Sequence, residues 1–394
     1  MTKNKRLYLI MTTFFAMLIM AIADSTKGIL IPTFKEVFGV SDTIIGTFLM
    51  TYSLTYVIMT YLGSLLCAHI GQKKTIVLGL FIAGTGFLIT SFSTTFLHII
   101  LGYIISTIGI GIQVIGMNTI IPLLKVTYIG LLMNWLHFFY GVGSTLTQKV
   151  TGYLIYTGIS WRMVFVGYFF LYMLAMFLYL FVTQPEESHE EKEAQKKPIR
   201  HRGLLVICCM ALGFYAASEV QTANWMLNYL KEVKGMNTNT GATYIALFFG
   251  VFSIGRLLGG FVVEKIGYLK AIIISMSLAL SLYTFGLVTG GNNLYIISLS
   301  GIFFAITYPT FLIVVQRIFV NNATFATAMV SMSASAVSMV VGYAMGILND
   351  TVGPATTIYL IPLSMLICII LMIGIKRKIH KMVSNPTEPL MVEL

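Results

Sequence analysis

Twelve apolar runs of membrane-crossing length divide this chain, and they leave it few ways to fold. A bilayer core is about 30 Å thick, so a helix crossing it needs about 20 residues. Runs of that kind lie at about 7–31, 43–66, 74–94, 97–124, 129–156, 161–183, 203–230, 241–263, 269–290, 294–317, 324–348 and 354–376, separated at Gly, Pro, Asn and charge clusters. With 57% hydrophobic and 10% charged residues the chain is far from a soluble domain, which is about 25% charged. Backbone groups in hydrocarbon must bond to one another, so the choice is helices or a closed barrel. Unbroken runs of this length are not the short alternating strands of a barrel. The expectation is an all-α integral membrane protein with twelve transmembrane helices. Residues 1–30 are read as the first span, because the run is too long for a cleaved leader and contains Asp24.

The net charge of +11 invites a nucleic-acid reading, but its placement argues against one. With the N-terminus inside, 18 of the 25 basic residues fall on the cytoplasmic side, including Lys73, Lys74, Arg200, Arg202, Lys265, Lys270 and Arg377. Only Lys35, Arg162, Lys231 and Lys234 face outward. This positive-inside bias puts both termini in the cytoplasm of a multi-pass plasma-membrane protein. The four cysteines are scattered in apolar contexts, with no metal or disulfide spacing, and no cofactor is implied.

The longest polar stretch, residues 184–202, separates six runs from six. It divides the chain into a bundle at 1–183, a cytoplasmic linker at 184–202, a bundle at 203–376 and a tail at 377–394. The halves look like repeats. GSLLCAHIGQKK (63–74) follows the second run and GFVVEKIGYLK (260–270) the eighth, with Gly71 and Gly267 196 residues apart. Parallel repeats of this kind put a substrate site near the midplane, between the halves.

Two of the 14 acidic residues sit inside spans: Asp24, 18 residues after Arg6, and Glu219, 17 residues after Arg202. A charge at the bilayer centre costs roughly 3 kcal/mol or more, so each is a functional candidate. Such a carboxylate can take a proton from one side and release it on the other. Lys27, at i+3 from Asp24, makes an internal ion pair the competing explanation. Lys149 and Arg256 are the other intramembrane cations. By helical rise, Arg256 lies about 10 Å from Glu219 in depth. Gln221, Thr222, Trp225 and Asn228 form one polar and aromatic stripe with Glu219. Amides bind hydroxyls directionally, and an indole face suits a sugar ring. Helix–helix glue is the alternative. Gln113 and Asn118 in the fourth run, with Asn134 and Tyr140 in the fifth, complete the expected substrate contacts.

These features carry a family resemblance. The turns at 63–74 and 260–270 resemble the inter-helix signature G-x-x-x-D-R-x-G-R-R of the major facilitator superfamily. The second copy keeps Gly260, Glu264 and Gly267 as a gating turn, whereas the first has Ala68 in place of the acid. Ser160-Trp161-Arg162 is similar to another facilitator element. GILIPTF (28–34), LHFFYGVG (136–143), IGRLLGG (254–260) and TYPTF (307–311) resemble the fucose–glucose proton-symporter group. The resemblance implies two pseudo-symmetric six-helix bundles and a monomer that moves solute by alternating access. It also implies coupling carboxylates in the first and fourth spans. Asp24 falls near the first, but the fourth span offers only Gln113 and Asn118, which do not titrate. Glu219 would then have to supply the missing group.

The function expected is secondary transport of a small polar solute, a sugar or polyol, with proton symport. Its partners are the solute, H+ and membrane lipid. The alternative is a proton-antiporting exporter of drugs or organic anions, which three bases against two acids would suit. A non-transporting sensor would need a soluble segment larger than the linker or tail. No enzyme motif is present: there is no metalloprotease helix, serine elbow or phosphate loop.

Overall fold

The computed structural model describes residues 2–124, 129–184 and 201–383. The described residues form helices and turns, with no strand among them. In chain order the spans are α1 (Lys3–Phe38), α2 (Asp42–Ile70), α3 (Gln72–Ser91), α4 (Phe96–Leu124), α5 (Ile129–Tyr156) and α6 (Trp161–Leu180). They continue with α7 (Arg202–Glu232), α8 (Thr238–Ile266), α9 (Tyr268–Thr289), α10 (Gly291–Ile318), α11 (Ala323–Val352) and α12 (Leu360–Val383). Among the described residues, eleven helices are long and apolar enough to cross a membrane. The twelfth long helix, α5, is more polar because it carries His137, Ser144, Gln148, Lys149 and several threonines over its 28 residues. The expected runs and the helices agree to within a few residues at most ends. The last helix continues to Val383, into residues expected to be tail. Residues 185–200 of the expected linker, and 384–394 of the tail, lie outside the described residues.

Local chemistry sets the helix ends. Ser41, Thr95 and Ser160 precede α2, α4 and α6, and their hydroxyls accept from Ile44 N (3.3 Å), His98 N (3.4 Å) and Arg162 N (3.3 Å). Each satisfies one of the donors that a helix leaves unpaired at its start. Arg162 also donates to Ser93 O (2.9 Å) beyond the end of α3, which fixes how α6 begins.

The two turns expected to be repeats have the same backbone. Gly71 has φ 80° and ψ 161°, and Gly267 has φ 85° and ψ 149°. This region is essentially closed to residues with a Cβ. The hydrogen bonds match as well: Gly71 N to Cys67 O and Thr75 N to Gly71 O, then Gly267 N to Val263 O and Ala271 N to Gly267 O.

The helices gather into two compact units. One holds the described residues up to 184 with 224–246 and 346–354; the other holds 201–223, 247–345 and 355–383. Within the first, α3 and α4 meet backbone to backbone. A Cβ on Gly109 would stand 2.3 Å from Ala83 N, and one on Gly86 2.3 Å from Ser106 N. Small residues allow such approach where lipid supplies no hydrophobic drive between helices. In the second unit α9 packs against α10 and α12.

Candidate functional site

The first span is not one helix. A helix over Lys3–Asp24 stops, Ser25 turns, and a second runs over Thr26–Phe38 with Pro32 inside it. Irregular backbone at membrane depth needs partners for the carbonyls it frees, and side chains supply them. Thr147 donates to Ile22 O (2.9 Å), Lys27 to Asp24 O (2.6 Å) and Gln148 to Ser25 O (3.1 Å).

Asp24 lies at this break, in the first unit. Lys27 forms an ion pair with its Oδ1. The Tyr52 hydroxyl of α2 donates to the same oxygen, and the Tyr140 hydroxyl of α5 donates to Oδ2. The Lys27 ammonium also stands 3.5 Å from the Tyr52 ring centre. Lys27 is 7% exposed, whereas the Asp24 side chain keeps 24% of its surface open. The ion pair therefore forms, and its acidic member stays partly accessible.

Glu219, on α7 in the second unit, lies near the Tyr215 phenol, which donates to Phe304 O (2.9 Å), and has Arg256 of α8 as its opposing charge. The Arg256 guanidinium lies 4.5 Å from the Phe252 ring centre, and its Nε is buried without a hydrogen-bond partner. Among the described residues, each unit thus places an intramembrane carboxylate near a basic residue and at least one tyrosine.

The expected substrate contacts divide in two. Gln221 donates to Ser338 O (2.8 Å) and Ser338 Oγ (3.1 Å) on α11. Thr222 donates to Ser218 O (2.8 Å) and shares a hydrogen bond with the Tyr283 hydroxyl of α9 (3.1 Å). The bonds to Ser338 and Tyr283 join helices of the second unit, and the bond to Ser218 lies within α7. In contrast, Asn118 Oδ1, Trp225 Nε1 and both amide atoms of Asn228 are buried with no hydrogen-bond partner among the described residues. Gln113 is fully buried beside Tyr172. All four belong to the first unit. Tyr140 serves Asp24, as described above. Asn134 lies on α5, and its side chain is outside the described residues.

Lys149 is exposed and donates to Asn239 Oδ1 (3.1 Å) and Thr243 Oγ1 (2.8 Å). At the turn before α9, Gly260 is exposed, and Glu264 Oε1 accepts from the Tyr268 hydroxyl (3.0 Å). Arg317 donates to that hydroxyl (3.0 Å) and covers its ring at 4.3 Å. No group of three His, Cys, Asp or Glu among the described residues could hold a metal ion.

Sequence reasoning did not select Tyr52 or Gln148. Tyr52 is 28 residues from Asp24, and nothing in a tyrosine within an apolar run announces that contact. Gln148 carried a signal, an amide inside a span next to Lys149. It is fully buried, and its Oε1 has no hydrogen-bond partner among the described residues.

The family profile described as "Major Facilitator Superfamily" matches residues 13–322. The chain belongs to the major facilitator superfamily. It is accordingly a transporter-family membrane protein and not an enzyme. This facilitator is 25% identical over 377 residues to "Bypass of stop codon protein 6" of Saccharomyces cerevisiae, covering 84% of this chain and 74% of that one. It is 22% identical over 270 residues to the "Cis,cis-muconate transport protein" of Acinetobacter baylyi, covering 64% and 62%. It is 23% identical over 307 residues to the "Glucose/galactose transporter" of Brucella abortus, covering 72% and 74%. Among solved structures it shares the fold of a D-xylose-proton symporter, with TM-score 0.75, 14% identity, and coverage of 94% and 97%.

Proposed function

We propose that this facilitator carries a small neutral polyhydroxyl solute, a sugar or polyol, by alternating access and in symport with protons. The observation that carries this proposal is that several of the buried polar atoms without hydrogen-bond partners among the described residues are amide or indole atoms: Asn118 Oδ1, Gln148 Oε1, Trp225 Nε1 and both amide atoms of Asn228. An orphaned buried donor or acceptor costs about 1–3 kcal/mol, so a native chain keeps few of them unexplained. Amides both donate and accept, as hydroxyls do, so these groups suit a sugar better than a carboxylate. Of the intramembrane cations, Lys27 pairs with Asp24 and Lys149 donates to Asn239 and Thr243, while Arg256 faces the opposing charge of Glu219 and keeps an unpartnered Nε. That weighs against an organic-anion exporter, although one relative is named for muconate transport. Asp24 and Glu219 are the proposed coupling groups. The same proposal has the chain work as a plasma-membrane monomer of two six-helix bundles with both termini in the cytoplasm.

The test uses purified protein in lightly buffered solution, with a panel of sugars, polyols and organic anions, and Asp24→Asn and Glu219→Gln alongside. A neutral carbohydrate should produce a pH change that one or both variants abolish. A response to anions alone would replace the sugar with an anionic substrate. Carbohydrate binding with the same proton signal in both variants would make the two carboxylates structural.

A further inference from the structure

In the second unit, a cavity of about 220 Å³ lies where α8, α9 and α10 meet. Two glycines shape it. A Cβ on Gly255 would stand 2.6 Å from Ile302 O, and one on Gly259 1.9 Å from Ile306 Cγ2, so α10 packs onto the bare backbone of α8. The lining is apolar except for Ser275, whose hydroxyl is used internally in a bond to Phe303 O (2.8 Å). The cavity therefore offers no polar group to a solute such as a sugar. It opens sideways. Leu258, Val262, Ile274 and Leu278 form its rim, and each is between 42% and 56% exposed on helices that cross the membrane.

Its length and its charged end indicate the occupant. From Gly255 to Ile266 the groove follows α8 for about 16 Å at helical rise, close to half of a ~30 Å hydrocarbon core. It therefore extends through one leaflet and ends at the Gly267 turn. Lys265 and Lys270 are exposed at that end, and neither has a hydrogen bond or ion pair among the described residues. Lys265 lies one turn from Val262 and Lys270 one turn from Ile274, so both continue the faces that form the rim. The nearby acid, Glu264, is held by the Tyr268 hydroxyl, on which Arg317 also sits.

We propose that this groove seats one acyl chain of an anionic phospholipid, with the phosphate headgroup held at Lys265 and Lys270. Basic side chains at a membrane surface each favour an anionic lipid by about a factor of five, so the two together give about a 30-fold preference. The bound chain would fill the α8–α9–α10 junction next to the Glu264–Tyr268–Arg317 contact and couple lipid composition to that turn.

The test uses the full chain in mild detergent. Native mass spectrometry would count retained phosphatidylglycerol and phosphatidylcholine with identical acyl chains, and thermal unfolding would be followed in parallel. Phosphatidylglycerol should bind about 30-fold more tightly and raise Tm more. Lys265→Gln with Lys270→Gln should remove the preference and keep the weaker phosphatidylcholine binding. Val262→Trp, at an exposed rim position that a larger side chain can occupy without unfolding the protein, should reduce both lipids alike. Equal retention of the two lipids by the unaltered protein would overturn the proposal. So would Val262→Trp leaving retention unchanged, or glycerol phosphate without acyl chains competing as well as the lipid.

Discussion

At Asp24 two carboxylate oxygens meet three donors, from Lys27, Tyr52 and Tyr140. Removing one member of a buried ion pair leaves the other uncompensated. Asp24→Asn should therefore cost about 3 kcal/mol, the low end for such pairs, because its side chain is 24% open. Asp24→Asn combined with Lys27→Met should recover much of that loss in a thermal unfolding series. If Asp24 also couples protons, the double variant will be stable and still uncoupled, which separates the two roles. Gln148→Leu tests the break in α1. It leaves the Ser25 carbonyl without its side-chain donor, at a cost of about 1–3 kcal/mol, read as a lower Tm. Part of this site was legible in the sequence: Asp24 and Lys27 are an i, i+3 pair, and a charge inside an apolar run stands out. Tyr52 and Tyr140 were not legible as its partners, because tyrosines occur throughout these spans and the contact depends on three helices meeting.

The matched glycine turns show how much an element can inherit from its local sequence. Gly71 and Gly267 hold one backbone conformation, so Gly71→Ala and Gly267→Ala should each cost about 1–3 kcal/mol. A small loss at one and a large loss at the other would argue against equivalent turns. The start of α2 is set differently. Besides its own Ser41 cap, Asp350 from the end of α11 accepts from Asp42 N (2.9 Å) and Thr43 N (2.7 Å). A carboxylate at a helix start replaces missing backbone bonds, so Asp350→Ala should lower stability by about 1 kcal/mol in the same unfolding assay. No pattern near Ser41 indicates that a residue 308 positions from Asp42 completes its cap.

For the whole molecule, the charge bias makes a prediction about orientation. The four cysteines are buried, which leaves a quiet background for thiol labelling. Asn237→Cys, between α7 and α8, should react with an impermeant reagent on intact cells. Lys270→Cys should react only after permeabilisation. The reverse pattern would invert the topology. By itself the sequence determined the class, the number of spans, most of their ends and the repeated turns. Those follow from hydropathy, from glycine and from capping residues, all of which act within a few neighbours. Tertiary structure alone decided which polar groups are consumed and which are left over. Gln221 and Thr222 are spent joining helices, whereas Asn228, two turns further along the same stripe, keeps an unpartnered amide. It also drew the ends of α1, α2 and α7 into one charged cluster of Lys35 with Asp42 and Glu232, and Lys231 with Glu36. The physical reason is range. Helix formation in hydrocarbon is settled within each segment, but whether a buried polar atom is paired depends on residues that are neighbours only after the helices pack.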